Sequence, residues 1–172
     1  RDLDGAEEAC RQILAHLERE DMPPQEDRKA SAFHDLGVIA QERGDYDQAE
    51  QWYQRSLEIK ERLGNEPGAA GTYHHLGMVA QERGDYDQAQ QWYQRSLEIE
   101  ERLDNEPGAA QTMGQMGLLE RDRGDRNAAR KWLKRALTIF ERHDMERDVA
   151  MARRYLEQLP ADGPHEEADG EE

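Results

Sequence analysis

The forty residues from Phe33 to Thr72 recur, 32 of them unchanged, from Tyr73 to Thr112. A unit this short cannot bury its own apolar face, so the face must close against the next copy, and the chain is expected to stack its units in a line. Such a stack presents an extended surface for holding another molecule and only rarely builds a catalytic pocket. A third, diverged copy begins at Met113 and keeps Gly124, Asp125, Ala129 and Trp132 at the matching places. Upstream, Asp2, Leu3, Asp4 and Ala6 fall where Asp45, Tyr46, Asp47 and Ala49 do, so a second half-unit opens the chain. Downstream, residues 145–159 read as a first half with only an acidic segment after it.

Each unit carries two apolar patterns of helical period separated by Arg-Gly-Asp, at 43–45, 83–85 and 123–125. Phe33, Leu36, Gly37 and Ala40 recur at three- and four-residue steps, and Ala49, Tyr53 and Leu57 run beside Trp52, Ser56, Ile59 and Leu63. Gly44 is placed to end the first helix in a left-handed conformation and Asp45 to cap the second. Asn65 to Gly68 repeats the task between units, with Pro67 tolerated only in a helix's first turn. No segment reads as a strand. The expected fold is all-α: a right-handed solenoid of antiparallel hairpins with about eight helices, comprising a half-repeat, three full repeats and a half-repeat cap.

These residues resemble the tetratricopeptide repeat family in a longer variant with a period of 40 over residues 2–159. With Ala30, Ala70 and Ala110 as first positions, the family's fourth position falls on Phe33, Tyr73 and Met113. Its seventh and eighth fall on Leu36 and Gly37, Leu76 and Gly77, Met116 and Gly117. The small and bulky places of the second helix fall on Ala49, Tyr53 and Ser56, on Ala89, Tyr93 and Ser96, and on Ala129, Leu133 and Ala136. The chain departs from the pattern at the eleventh place, where Ala40, Ala80 and Glu120 replace a tyrosine, and the added residues are expected to lengthen the second helix and its link. The expected divisions are 1–27, a half-repeat and linker; 28–66, 67–106 and 107–145, three repeats; 146–159, a capping helix; and 160–172, an acidic disordered tail.

The resemblance implies that first helices line a concave groove. Its usual ligand-facing places fall on Ser31, His34, Val38, Gln41 and Glu42; on Gly71, His74, Met78, Gln81 and Glu82; and on Gln111, Gly114, Leu118, Arg121 and Asp122. Val38, Met78 and Leu118 then form an apolar stripe, His34 and His74 a polar one, and Glu42, Glu82 and Asp122 an acidic rim, with room for a ligand's backbone over Gly71 and Gly114. A peptide or amphipathic helix with spaced apolar anchors and flanking Lys or Arg suits such a trough. A carboxylate clamp does not: the Lys and Asn it requires are replaced by His and by Val or Met.

Net charge is −16, unevenly spread: residues 1–120 carry −14, residues 121–160 carry +4 and the tail −6. An acidic body repels nucleic acid and anionic membranes, and no apolar run is long enough to cross a bilayer, so a cytoplasmic protein without nucleic-acid or membrane partners is expected. Arg126, Arg130, Lys131, Lys134 and Arg135 form a basic contact surface on one second helix, without interleaved aromatics, that an acidic neighbour or a second copy could meet. Cys10 excludes an internal disulfide and falls on the core place of Tyr53. The start in mid-unit suggests a piece of something larger.

Histidine invites a metal reading, but His34 and His74 stand on equivalent places of neighbouring hairpins, about 8–10 Å apart by helix packing, too far to share one zinc. No phosphate loop and no nucleophile beside a base occurs, so neither cofactor, metal nor enzyme activity is expected. The Asp-Tyr-Asp runs are caps and turn acids rather than calcium ligands, and Trp52, Trp92 and Trp132 serve packing between units. Two function classes remain open: an interaction module whose groove recruits a partner segment, as a scaffold or the regulatory or sensor part of a larger protein, and a structural or self-assembling spacer driven by charge asymmetry.

Overall fold

The computed structural model describes residues 2–17 and 25–159. Among them stand eight α-helices and no strand: α1 Leu3–Leu17, α2 Glu26–Glu42, α3 Tyr46–Arg62, α4 Glu66–Glu82, α5 Tyr86–Arg102, α6 Glu106–Arg123, α7 Arg126–Arg142 and α8 Glu146–Gln158. The segment expected to be a disordered tail lies outside the described residues, as do residues 18–24 of the expected half-repeat and linker.

Local chemistry sets the boundaries. The carboxylates of Asp45, Asp85 and Asp125 accept the amides of Gln48, Gln88 and Ala128 at 3.1, 3.2 and 2.9 Å, each opening a second helix. Asn65 and Asn105 do the same for first helices, by bonds to the Gly68 and Gly108 amides, ahead of a proline in the first turn. Gly44, Gly84 and Gly124 take φ of 77°, 78° and 91° in the first link, while the second link has positive φ at Gly64, Asp104 and Asp144. In the first two units the helices are equally long: α2 to α5 have 17 residues each, with three-residue links, so the period divides evenly and the second helix is not the longer of the two. Leu63, assigned to the apolar pattern, closes α3 as its C-cap and is exposed.

Packing follows the small places. A Cβ on Gly37 would stand 2.6 Å from the Tyr53 ring, and one on Gly77 2.5 Å from the Tyr93 ring, so both fully buried tyrosines depend on bare backbone opposite them. Buried clusters of Ala, Leu and aromatic residues continue from α1 to α8, and Cys10 is buried in the first of them. Trp52 stacks on Phe33 and Trp92 on Tyr73 at 5.7 and 5.6 Å, with Arg55 and Arg95 over the rings. The Arg of each Arg-Gly-Asp reaches back to the preceding second helix: Arg43 to Asp4 and Glu7, Arg83 to Asp47 and Glu50, Arg123 to Asp87 and Gln90. Asp47, expected as a turn acid, thus lies in the first turn of α3 and pairs with Arg83 at 3.2 Å. Helix α2 touches α4 and α4 touches α6, so first helices line the inner face of the solenoid.

Candidate partner-binding groove

The inner face is built from α2, α4, α6 and α8; Asn caps open α4 and α6, and the Arg straps above hold the C-terminal ends of α2, α4 and α6. Val38, Met78 and Leu118 are half-buried at successive ninth places and packed against the core. Ser31, Glu42, Glu82 and Gln111 are exposed beside them. A Cβ on Gly71 would meet nothing within 4 Å, and one on Gly114 only Phe140 at 3.9 Å, so both glycines leave free space over the floor.

Several expected groove residues do more inside the fold than in the trough. Gln41 and Gln81 accept the phenol protons of Tyr53 and Tyr93 at 2.9 and 3.0 Å. Asp122, expected as open rim, accepts Gln81 Nε2 at 2.7 Å and the Arg121 guanidinium at 2.7–2.9 Å, so the third unit's part of the rim is internally compensated. Arg121 also lies 5.4 Å over the Tyr155 ring.

Beneath the stripe runs a polar seam that sequence reasoning missed. His34 Nδ1 pairs with Thr72 Oγ1 at 3.3 Å, and the same hydroxyl receives Lys60 Nζ at 2.9 Å. One unit on, His74 Nδ1 pairs with Thr112 Oγ1 at 3.0 Å, and Thr112 donates to Glu100 Oε2 at 3.3 Å. Lys60, Glu100 and Phe140 hold equivalent places, and all three are buried at 7%, 7% and 4% exposure. The signal lay in the sequence: Lys60 to Glu100 is one of the eight changes between the near-identical units, a charge inversion inside an apolar pattern. His75 stacks 5.3 Å from Tyr53 and stands edge-on to His34 at 5.0 Å.

Burial sets the electrostatics. Desolvation, reinforced by the Lys60 and His75 charges, pushes His34 down to about 3; desolvation pushes His74 down to about 4 and lowers His75. The rings are neutral at pH 7, so the histidine stripe presents polarity without charge. Burial raises Glu100 to about 7 against the opposing Thr112 hydrogen bond, and lowers Lys60. Among the described residues no group of three His, Cys, Asp or Glu is arranged to hold a metal ion, and no helix is long and apolar enough to cross a membrane.

At the C-terminal end the floor deepens into a cavity of about 300 Å³. His74, Met78, Gln111, Gly114 and Leu118 meet there, with Leu133 and Phe140 beneath and Asp148, Met151, Ala152 and Tyr155 of α8 on the far side. Ser31, His34, Val38, Gln41 and Glu42 lie outside it, further along the trough. Helix α8, expected only as a cap, is thus a fourth inner helix: Met151, Arg154 and Gln158 stand forty residues after Gln111, Gly114 and Leu118, an offset legible in the sequence. On the other face, Arg126, Lys131, Lys134 and Arg135 are exposed on α7, Arg135 stacking on Trp132 at 4.7 Å, while Arg130 reaches the Leu159 carbonyl at 3.4 Å.

The tetratricopeptide repeat family model matches residues 1–62 and 68–142. No curated protein matches the sequence. Among solved structures the chain is similar to BtubC (BKLC) from P. vanneervenii, with a TM-score of 0.73 and 18% identity over 92% of this chain and 73% of that one. It is similar to aspartyl phosphate phosphatase F from Bacillus subtilis with a TM-score of 0.74 and 16% identity, over 77% of this chain but only 35% of the phosphatase. The N-terminal domain of stress-induced protein-1 from C. elegans matches with a TM-score of 0.57 and 20% identity, over 74% and 97% of the two chains. At these identities the likeness is one of fold.

Proposed function

The chain belongs to the tetratricopeptide repeat family, whose repeats serve protein interaction, and on that premise we propose that its inner groove receives an extended or helical segment of a partner protein. The observation that carries this reading is the half-buried stripe of Val38, Met78 and Leu118, one apolar side chain per unit, leading into the cavity beside α8. Apolar anchors spaced along a peptide would bury against the stripe and supply the affinity. Glu42 and Glu82, exposed beside it, favour Lys or Arg on the partner's flanks and accelerate encounter. The neutral seam histidines and the open space over Gly71 admit the partner's backbone without imposing charge on it.

The seam also dictates which substitutions test this. His74 is hydrogen-bonded to Thr112, so changing it disturbs folding, whereas Met78 and Leu118 are half-buried and make no side-chain hydrogen bond. Changing Met78→Glu together with Leu118→Glu is expected to weaken partner binding by at least about a hundredfold, as for central apolar contacts in a desolvated patch, while Gln91→Glu on exposed α5 changes it little. Isothermal titration with the partner, alongside circular dichroism to confirm unchanged helicity, makes the comparison. Equal affinity in the native protein and the double variant contradicts groove binding.

A further inference from the structure

The cavity between α6 and α8 differs from the rest of the trough in three respects. Its apolar walls come from three inner helices, Met78 of α4, Leu118 of α6, and Met151 and Tyr155 of α8, over a floor of Phe140, with the polar side chains of His74, Gln111 and Gln115 between them. Met151 is 51% exposed, the most exposed large apolar side chain among the described residues. Among the described residues Asp148 is the sole charged one in the lining, half-buried and without a hydrogen bond or ion pair to another described residue. Placement in the first turn of α8 offsets part of the cost of its charge through the helix dipole, yet a partly desolvated carboxylate with no cation still favours gaining one. Arg121, which lies over the Tyr155 ring at the cavity wall, is held by Asp122.

A volume of about 300 Å³ lies at the lower end of ligand pockets, suited to one bulky side chain rather than a drug-sized molecule or cofactor. We propose that this cavity is the specificity subsite of the groove, taking one bulky apolar side chain of the bound segment while Asp148 pairs with a Lys or Arg about one helical turn from that anchor. The proposal rests on the groove reading above and adds to it the identity of the decisive pair. An anchor followed by a cation three or four residues on places both groups on one face of a helix, the geometry that an apolar hole with an acid in its wall can read. Anchor burial supplies affinity, and the carboxylate discriminates, because a partner with an acid at that place would set two like charges together in a partly dehydrated site.

The test is a selection of random helix-forming peptides displayed on phage against this chain, followed by titration of synthetic copies. Expected is enrichment of sequences with a Leu, Met, Phe or Trp and a Lys or Arg three or four places away. Asp148→Asn should weaken the selected peptides by about fivefold to tenfold, as for a partly buried ion pair. Replacing the peptide's cation by Gln should cost the native protein the same factor, and combining both changes should cost no more than either alone. Peptides that bind and lose affinity to Met78→Glu, yet show no coupling to Asp148, overturn the subsite and leave the groove standing. Absence of any enriched peptide overturns both readings. A concentration-dependent dimer that Asp148→Asn disperses, without peptide enrichment, puts a second copy in the cavity and overturns the assignment to a partner peptide.

Discussion

Lys60, Glu100 and Phe140 occupy one structural place in three successive units as a cation, an acid and a hydrocarbon, each buried between a second helix and the next first helix. Burial of Glu100 places its ionisation near pH 7 rather than near 4.5. A carboxyl with a raised folded-state pKa contributes its full stability below the unfolded value and loses it as pH rises through the folded one, a window here of 4.5 to 7. The buried histidines act with the opposite sign: depressed to about 3 and 4, His34 and His74 stabilise the fold while neutral and withdraw that support as pH falls below 6.5. Comparison with Glu100→Gln isolates the acid. In urea unfolding the variant's stability relative to the native chain should rise by about 2 kcal/mol between pH 5 and pH 8. A difference constant across that range contradicts a buried, late-titrating Glu100.

Between elements, the close approach of first and second helices is set by glycine facing tyrosine. Gly77→Ala drives a methyl into the Tyr93 ring and should destabilise by about 1–3 kcal/mol, whereas Gly71→Ala, on the open side of the same helix, should stabilise by about 0.5–1 kcal/mol through helix propensity. Chemical unfolding of the two variants decides it; similar effects from both changes would show that helix propensity and not ring contact governs the place. These features were readable from the sequence because they are local or periodic: caps at Asp45 and Asn65, left-handed Gly44, and a small residue at each eighth place. The equal division of the period was less legible, since Leu63 extends the apolar rhythm past the true helix end and only its exposure shows that α3 has stopped. The seam was missed for a different reason. A spacing rule assigns His34 and His74 to the inner face but says nothing of the threonine hydroxyl on the following first helix that draws each ring inward.

Across the whole molecule, the inner face changes character along its length. Exposed Glu42 and Glu82 dominate the early units; the third compensates its acid internally; and α8 closes the trough with an apolar cavity and one unpaired carboxylate. Period analysis located the stripe of Val38, Met78 and Leu118, but the sequence of α8 conceals its part because Arg153 and Glu157 replace Met113 and Gly117, making it look like a cap alone. A helix can cap the stack with one face and extend the groove with another. Groove binding, as proposed, holds partners on the inner face. Photo-crosslinking groups placed singly at Val38, Met78 and Leu118 on the inner helices, and at Gln91 and Lys131 on α5 and α7, test it directly when the chain is mixed with a bound peptide or partner. Groove binding requires adducts from the three inner places, mapping to one amphipathic segment of the partner, and none from the outer two; adducts confined to Gln91 and Lys131 would contradict it.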